Sequence, residues 1–309
     1  MRFGGHETFH IREGWLYKGL SLLKEAAQNL NTVEAADLMG VGGNMAKSIH
    51  HWMLAMGLAS NNNGGSAKLS LSPLGELIQE YDPYCTSVST WWALHINLVS
   101  NPNYAASWDW FFNLSGQNRF EKGVALEQFK RFLKRDSNYR VPANKTLDRD
   151  LSFLLHSYGR AIPTESHDPE DSRECPFREL GLLTFFRESG FYKIQFTEKP
   201  IPPEILGYAL SRRFPDQDGR DGSVSVSVND ASNTSNSPGK VFCLRAESVF
   251  ELALKAQIVL PKGWLNVTGL AGTRYINFRA WPAEQWLGEA YRKENESEVK
   301  WLKNQKNNL

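Results

Sequence analysis

Apolar residues recur three and four positions apart from Trp15 onward. Trp15, Leu16, Gly19, Leu20, Leu22, Leu23 and Ala26 keep the spacing of an amphipathic helix. Val33 to Met39 predicts a short second helix with Thr32 as N-cap. Ala35 stands where a capping box wants Glu or Gln, so that box is missing. Gly40-Val41-Gly42-Gly43 reads as a turn. A third helix is predicted over Asn44 to Met56, with Met45, Ile49, Trp52, Met53 and Met56 on its inner side and Gly57 closing it. Leu58-Ala59 and Lys68 to Leu71 read as strands joined by SNNNGGSA, a hairpin composition. Ser72-Pro73 then starts a last helix, Leu74 to Tyr81. Helix, helix, glycine turn, helix and hairpin is the order of a winged helix-turn-helix.

From about Thr86 to Pro200 the pattern is mainly helical. STWWALHINLVS reads as a buried helix and YAASWDWFFNLS as a second apolar element. PFRELGLL followed by GFYKIQF reads as a helix and a strand, a degenerate second winged-helix unit. The last third opens with a helix over Pro203 to Phe214. A Ser/Asn stretch reaching Pro238 reads as a flexible loop with a weak strand. Val249 to Ile258 is amphipathic, WLNVTGLAGTRYINF reads as two strands about a turn, and the chain ends in a polar helix. The expected fold class is mainly α with small β-hairpins (α+β): an N-terminal winged helix-turn-helix followed by helical and further winged-helix-like modules. The expected segments are 1–85, 86–200 and 201–309.

Composition narrows the function classes. The 309 residues include 41% hydrophobic and 12% aromatic positions, enough for a sizeable core. The net charge of +1 names no partner, so a nucleic-acid site must be a local patch. Three widely spaced cysteines with no C-x-x-C fit reduced thiols in a cytoplasmic protein, and argue against a disulfide framework or a zinc ribbon. No signal peptide or membrane-spanning run is expected.

The third helix is the expected DNA-reading element. Its outward face is predicted to carry Asn44, Lys47, Ser48, His50 and His51, with Lys68 on the wing. A winged helix used only for protein contacts remains the other reading. Between Arg119 and Arg149 nine Lys or Arg face four Asp or Glu, a local net of +5. Lys130, Arg131, Lys134 and Arg135 share one helix face opposite Leu126, Phe129, Phe132 and Leu133. That face is either a solvated surface or a phosphate-contact patch. The loop ESHDPEDSREC gathers Glu165, His167, Asp168, Glu170 and Asp171, which can hold magnesium or manganese or simply meet solvent. DQDGRDG begins like a calcium loop, but Arg220 and Ser227 stand where that loop needs oxygen ligands and a Glu.

GGHETFHIREGW, residues 4–15, carries H-E-x-x-H. That motif binds zinc only on a helix, where residues four apart share a face. Gly4-Gly5 suits a turn, and no third ligand follows, so a zinc metallopeptidase is a distant alternative. Two other readings remain: a packed cap, or a polar constellation of His6, Glu7, His10 and Arg12 beside DNA. In the latter, His and Glu bind a divalent ion or move protons and Arg12 clamps a phosphate.

FGGHETFHIREGWLYKGL, MGVGGNMAKSIHHWMLAMGLA and LSPLG resemble the start of the SspB-like family of bacterial DNA phosphorothioation (single-strand) systems. PFRELGLL and SPGKVFCL extend the resemblance over most of the chain. The resemblance implies a DNA-nicking partner in DNA phosphorothioate modification and phage defence. Joined to the residue chemistry, the expected activity is a metal-dependent nicking endonuclease on double-stranded DNA, using magnesium or manganese. The resemblance also implies work beside a cysteine desulfurase, an ATPase and an ATP-pyrophosphatase-like enzyme. It carries no catalytic set residue by residue, so His6, Glu7, His10 and Arg12 are assigned on chemistry alone. A non-catalytic module that recruits the modification enzymes is the alternative. The modest charge of the DNA-reading helix leaves room for a homodimer. No phosphate-binding glycine loop is present, so the sulfur chemistry is expected elsewhere.

Overall fold

Helix α1 (Trp15–Glu25) forms where the apolar stripe begins and buries Trp15, Leu16, Leu20 and Leu23. The computed structural model describes residues 3–7, 9–12, 14–61, 68–135, 141–162, 175–216, 222–270 and 272–306, with side chains as far as residue 297. Helix α2 (Val33–Met39) is capped by Thr32, whose hydroxyl accepts from Ala35 N at 3.1 Å. Helix α3 (Gly43–Ala55) follows, then antiparallel strands β1 (Ala59–Asn61) and β2 (Leu69–Leu71). Ser72 caps α4 (Pro73–Tyr81) by accepting from Gly75 N at 3.0 Å, and donates to Gly57 O at 2.6 Å. One hydroxyl thus ties the end of α3 to the start of α4. The predicted element order of this segment is present. The predicted wing tip at 62–67 lies outside the described residues.

Helix α5 (Val88–Val99) buries nearly every side chain, which explains its continuous apolar run. Helix α6 (Ala106–Asp109) passes directly into a π-helical turn, Trp110–Leu114. The middle region then departs from the helical expectation. Besides α7 (Lys122–Arg135) and α8 (Asn144–Tyr158), it holds a four-stranded mixed sheet. Its strands are β3 (Arg119–Glu121), β4 (Gly159–Ile162), β5 (Leu183–Phe186) and β6 (Phe191–Ile194), in spatial order β3-β6-β5-β4. Strands β4 and β5 run parallel. PFRELGLL is a 3-10 turn, Pro176–Leu180, leading into β5. GFYKIQF is β6, paired with β5 and, from far upstream, with β3. This sheet is not the two-stranded wing expected there.

The last third contains α9 (Pro203–Arg213), β7 (Ser223–Ser227), α10 (Val228–Asn233), α11 (Pro238–Val241), α12 (Ala246–Val259), β8 (Leu265–Leu270), β9 (Thr273–Arg279) and α13 (Ala283–Lys306). The weak strand expected in the Ser/Asn stretch is β7, and the flexible loop expected with it is instead the short helix α10, with α11 starting at Pro238. Ser227 caps α10 by accepting from Asp230 N, and β7 pairs with β9 along five residues. Helix, strand, helices, then a hairpin whose second strand pairs with the first strand is a winged-helix-like order.

One buried cluster runs from Ile11 to Tyr291, with Trp52, Trp92, Tyr158, Tyr208 and Trp286 among its largest members. Helix α13 lies so close to α9 that a Cβ at Gly207 would collide with the Trp286 indole. It also returns to the N-terminal segment. Tyr291 stacks on Tyr81 at 5.9 Å, and its hydroxyl is 2.6 Å from Thr90 Oγ1. Thr90 donates to the buried Asp82 carboxylate at 2.5 Å, and Asp82 also accepts from Thr86 N and Ser87 N. No described helix is long and apolar enough to cross a membrane.

Candidate functional site

The opening stretch is a run of turns, not a helix. Glu7 N donates to Gly4 O at 3.3 Å and Phe9 N to His6 O at 2.8 Å, with Glu7 at φ 48°. His6 and His10 therefore do not share a helical face, and the geometry that a zinc peptidase motif needs is not formed.

The stretch is instead pinned to α8 and α3. His6 is 1% exposed, and its Nε2 lies 3.1 Å from Asp150 Oδ1. The same carboxylate accepts from Gly4 N at 2.9 Å and, through Oδ2, from Ser107 at 3.3 Å. A carboxylate oxygen accepts, so His6 Nε2 carries the proton and Nδ1 faces inward. Nδ1 has no hydrogen-bond partner among the described residues. The His6 ring packs on Phe153 at 4.4 Å and stacks on Trp52 at 6.1 Å, with Trp108 edge-on at 6.2 Å. Phe3 reaches Phe129 of α7 at 6.2 Å. Gly5 leaves room for the His51 ring of α3, which any Cβ there would strike. A short polar segment thus joins α3, α7 and α8.

His10 sits on the other side of Phe153, also at 4.4 Å. Its Nδ1 is 3.2 Å from Ser157 Oγ, and Ser157 donates its own proton to Phe153 O at 2.8 Å. The His10 contact is therefore Nδ1–H donating, which leaves Nε2 as a lone pair. Burial, followed by the nearby His156, holds the His10 pKa down at about 4. His10 is thus a neutral imidazole at neutral pH with an accepting nitrogen. His156, at 6.1 Å, is lowered as well, chiefly by burial. Glu7 and Arg12 are exposed, and the Arg12 guanidinium carbon lies 5.6 Å from the Trp15 ring centroid. The four predicted residues do not converge on one point. His6 and His10 flank one ring, His6 is sealed from solvent, and Glu7 and Arg12 belong to the surface.

The predicted DNA-reading face of α3 needs correction. Asn44 and Lys47 are exposed and lie 3.4 Å apart. His50 is half-buried, and Ser48 and His51 are buried at 0% and 2%. The helix is covered on two sides, by the core and by the opening stretch, so Ser48 and His51 do not face outward. Lys68 is exposed beside the hairpin. On α7, Arg131, Lys134 and Arg135 are exposed, whereas Lys130 is half-buried and paired with Glu127 at 2.7 Å. The exposed Arg149 lies over Gly4 and adds a cation beside the opening stretch.

Asp150, Ser107, Phe153 and Ser157 complete the site and were not singled out from the sequence. Asp150 left a signal: it falls on the apolar stripe of α8 between Leu147, Leu151 and Leu154, where a carboxylate demands a buried partner. The acidic loop at 165–171 lies outside the described residues. Among the described residues no three His, Cys, Asp or Glu side chains are grouped to hold a metal ion. All three cysteines are buried, and burial pushes the Cys175 thiol up to about 11 and Cys243 to about 12. They stay protonated at neutral pH, which makes them poor sulfur nucleophiles.

Comparison with solved structures finds this fold elsewhere. The magnesium ion-bound SspB crystal structure superposes with a TM-score of 0.80 at 24% identity, covering 94% of this chain and 88% of that one. A second SspB crystal structure gives 0.76 at 23% identity, covering 98% and 97%. A search of curated proteins gave no match. A family model matches residues 3–291, and the chain therefore belongs to the family described as "Protein of unknown function (DUF4007)".

Proposed function

We propose that this protein is a DNA-binding component of a DNA phosphorothioation system that nicks one strand of double-stranded DNA. The observation that carries this reading is the likeness of fold to SspB over nearly the full length of both chains. Modification of one strand requires access to it, and a nick gives access. The sulfur transfer falls to partners, a cysteine desulfurase with an ATPase and an ATP-pyrophosphatase-like enzyme, because the thiols of this chain are buried and protonated.

In this reading Asn44, Lys47 and Lys68 contact DNA from the N-terminal segment, and Arg131, Lys134 and Arg135 contact phosphates from α7. The exposed Arg12 steadies a backbone phosphate, and His10, held by Ser157, is a positioning residue for the turn. The oxygen of water bonds to phosphorus as the bond to the leaving oxygen breaks, and solvent takes the water's proton and supplies one to that oxygen. His6 is a positioning residue that holds the turn against Asp150. Among the described residues no ligand cluster is built for a metal, so a divalent ion, magnesium or manganese, would be held by the exposed Glu7 carboxylate alone, with water and the substrate phosphates as its other ligands. When bound, the ion neutralises charge on the phosphate. One of the SspB structures is described as magnesium ion-bound.

A second reading, a recruitment module without cleavage, is favoured by the burial of His6 and by the missing three-ligand cluster among the described residues. Conversion of supercoiled plasmid to open circle separates the two. The expected result is nicking with magnesium or manganese, none with EDTA, and loss in Glu7→Ala and His10→Ala. A gel shift without nicking under any metal leaves the recruitment module.

A further inference from the structure

A polar cleft of ≈ 440 Å³ opens where the C-terminal ends of α5 and α9 meet the turn between α10 and α11. Ser100, Arg212, Arg213, Pro215, Ser235 and Asn236 line it. Among the described residues the lining side chains are two guanidiniums, two hydroxyls and an amide, with no carboxylate. The volume is within the range of small-ligand clefts.

The donors are held in place by groups behind them. Arg213 Nε donates to Ser235 O at 2.6 Å, which fixes the guanidinium in the cleft wall. Its carbon also sits 5.1 Å from the Phe214 ring centroid. Asn236 has φ 62°, a left-handed conformation that a non-glycine residue adopts at a cost. Asn113 holds it there from both ends: Asn236 N donates to Asn113 Oδ1 at 2.7 Å, and Asn113 Nδ2 donates to Asn236 Oδ1 at 2.7 Å. Asn113 itself is 5% exposed and belongs to the π-helical turn. Its Nδ2 also lies 3.0 Å from Val99 O and from Asp109 Oδ1. With its oxygen engaged by Asn113, Asn236 presents its amide NH2 to the cleft. Left-handed non-glycine residues and π turns collect at binding sites, because surrounding packing must hold each of them against its cost.

The charge decides the ligand class. The ends of α5 and α9 bring carbonyl dipoles, which the two arginines offset. Two neighbouring guanidiniums, with no carboxylate among the described lining residues, favour an anion and repel a cation. We propose that this cleft binds a phosphate group, with Arg212, Arg213 and Asn236 as its donors. The phosphate comes either from a small molecule or from a nucleic-acid strand. The site uses no residue of the opening stretch, so it stands whether or not the protein cuts DNA.

The test uses three probes on the whole protein: inorganic phosphate and adenosine monophosphate, followed by ³¹P NMR, and a short single-stranded oligonucleotide, followed by fluorescence anisotropy. The variants are Arg212→Glu and Asn236→Gly. Glycine adopts φ 62° without strain and keeps the backbone bond to Asn113 Oδ1. The amide it removes includes the oxygen that accepts from Asn113 Nδ2, which retains Val99 O and Asp109 Oδ1 as acceptors. The expected result is an affinity lowered about tenfold or more in Arg212→Glu, and less in Asn236→Gly, with unchanged melting temperature in phosphate-free buffer. Loss with the two small phosphates identifies a small-molecule site. Loss with the oligonucleotide alone identifies a strand phosphate. Wild-type affinity for all three probes in both variants overturns the site.

Discussion

Helices α3 and α12 occupy like places in their segments, each preceding a two-stranded hairpin, yet they present different chemistry. The exposed start of α3 offers Asn44 and Lys47, and its second half is sealed by the opening stretch. Helix α12 exposes Leu254, Ile258 and Val259, with Ile258 82% exposed. Two of its three charges are engaged: Glu247 pairs with Arg274 of the hairpin at 3.1 Å, and Lys255 pairs with Glu198. Arg274 also lies over the Phe250 ring at 4.2 Å. Element order is shared, and the exposed cations that a phosphate contact would require are not. Such order alone therefore does not license a DNA contact; exposed cations on the outward face are a further requirement.

The largest effect that tests this contrast is at Asp150. Asp150→Ala strands Gly4 N, His6 Nε2 and Ser107 together, and breaking such a buried set costs about 3 kcal/mol. Urea denaturation is expected to show that loss. Limited proteolysis is expected to cut the opening stretch first while the α12 hairpin stays protected. Equal protection of both ends would remove the pin from the account.

The next effect is acid sensitivity. Burial holds the His10 and His95 pKa values down at about 4 from the ordinary 6.5. The unfolded chain therefore takes up these protons first as pH falls. The stabilisation is fully present above pH 6.5 and is lost as pH falls toward 4, about 3 kcal/mol for a fully buried histidine. His95 sits in the central core, bonded to Tyr158 and to Val241 O, so the loss is global. His10→Gln is expected to flatten the dependence of the urea midpoint between pH 6.5 and 4.5. An unchanged slope would show that His10 is solvated.

The smallest effect is the most direct comparison of the two helices. Lys47→Glu is expected to weaken DNA binding about tenfold at low salt and to lower the salt slope by about one. Lys255→Glu is expected to change neither. Equal losses would give α12 a place on DNA.

The sequence made the helices legible wherever one face was apolar and a cap marked the start. Thr32 and Ser72 fix α2 and α4, and the predicted spans agree with the observed ones to within a residue or two. The mixed sheet was not legible. Its strands are three or four residues long, and β3 pairs with β6 about 70 positions away, so no local pattern signals it. SVSVS shows strand alternation, but its serines and the Asn-rich run after it also suit a loop, and tertiary pairing decided the outcome. In the candidate site, periodicity marked one buried face of α3 and had no means to mark the second. His51 and Ser48 were thus placed outside although both are buried, His51 beneath Gly5 of the opening stretch. The polar character of GGHETFH was legible; its partner, Asp150, lies 144 residues from His6.

The return of α13 onto α4 and α5 has a consequence for synthesis. The hydrogen bond between Tyr291 and Thr90 spans 201 residues. A ribosome adding 5–20 residues per second needs roughly 10 to 40 s to cover that interval. Throughout it, Thr90, Ser89 and the exposed side of Tyr81 have emerged without the helix that covers them. A chaperone that holds this face during translation has a defined window in which to act, closed by the chain's own last helix.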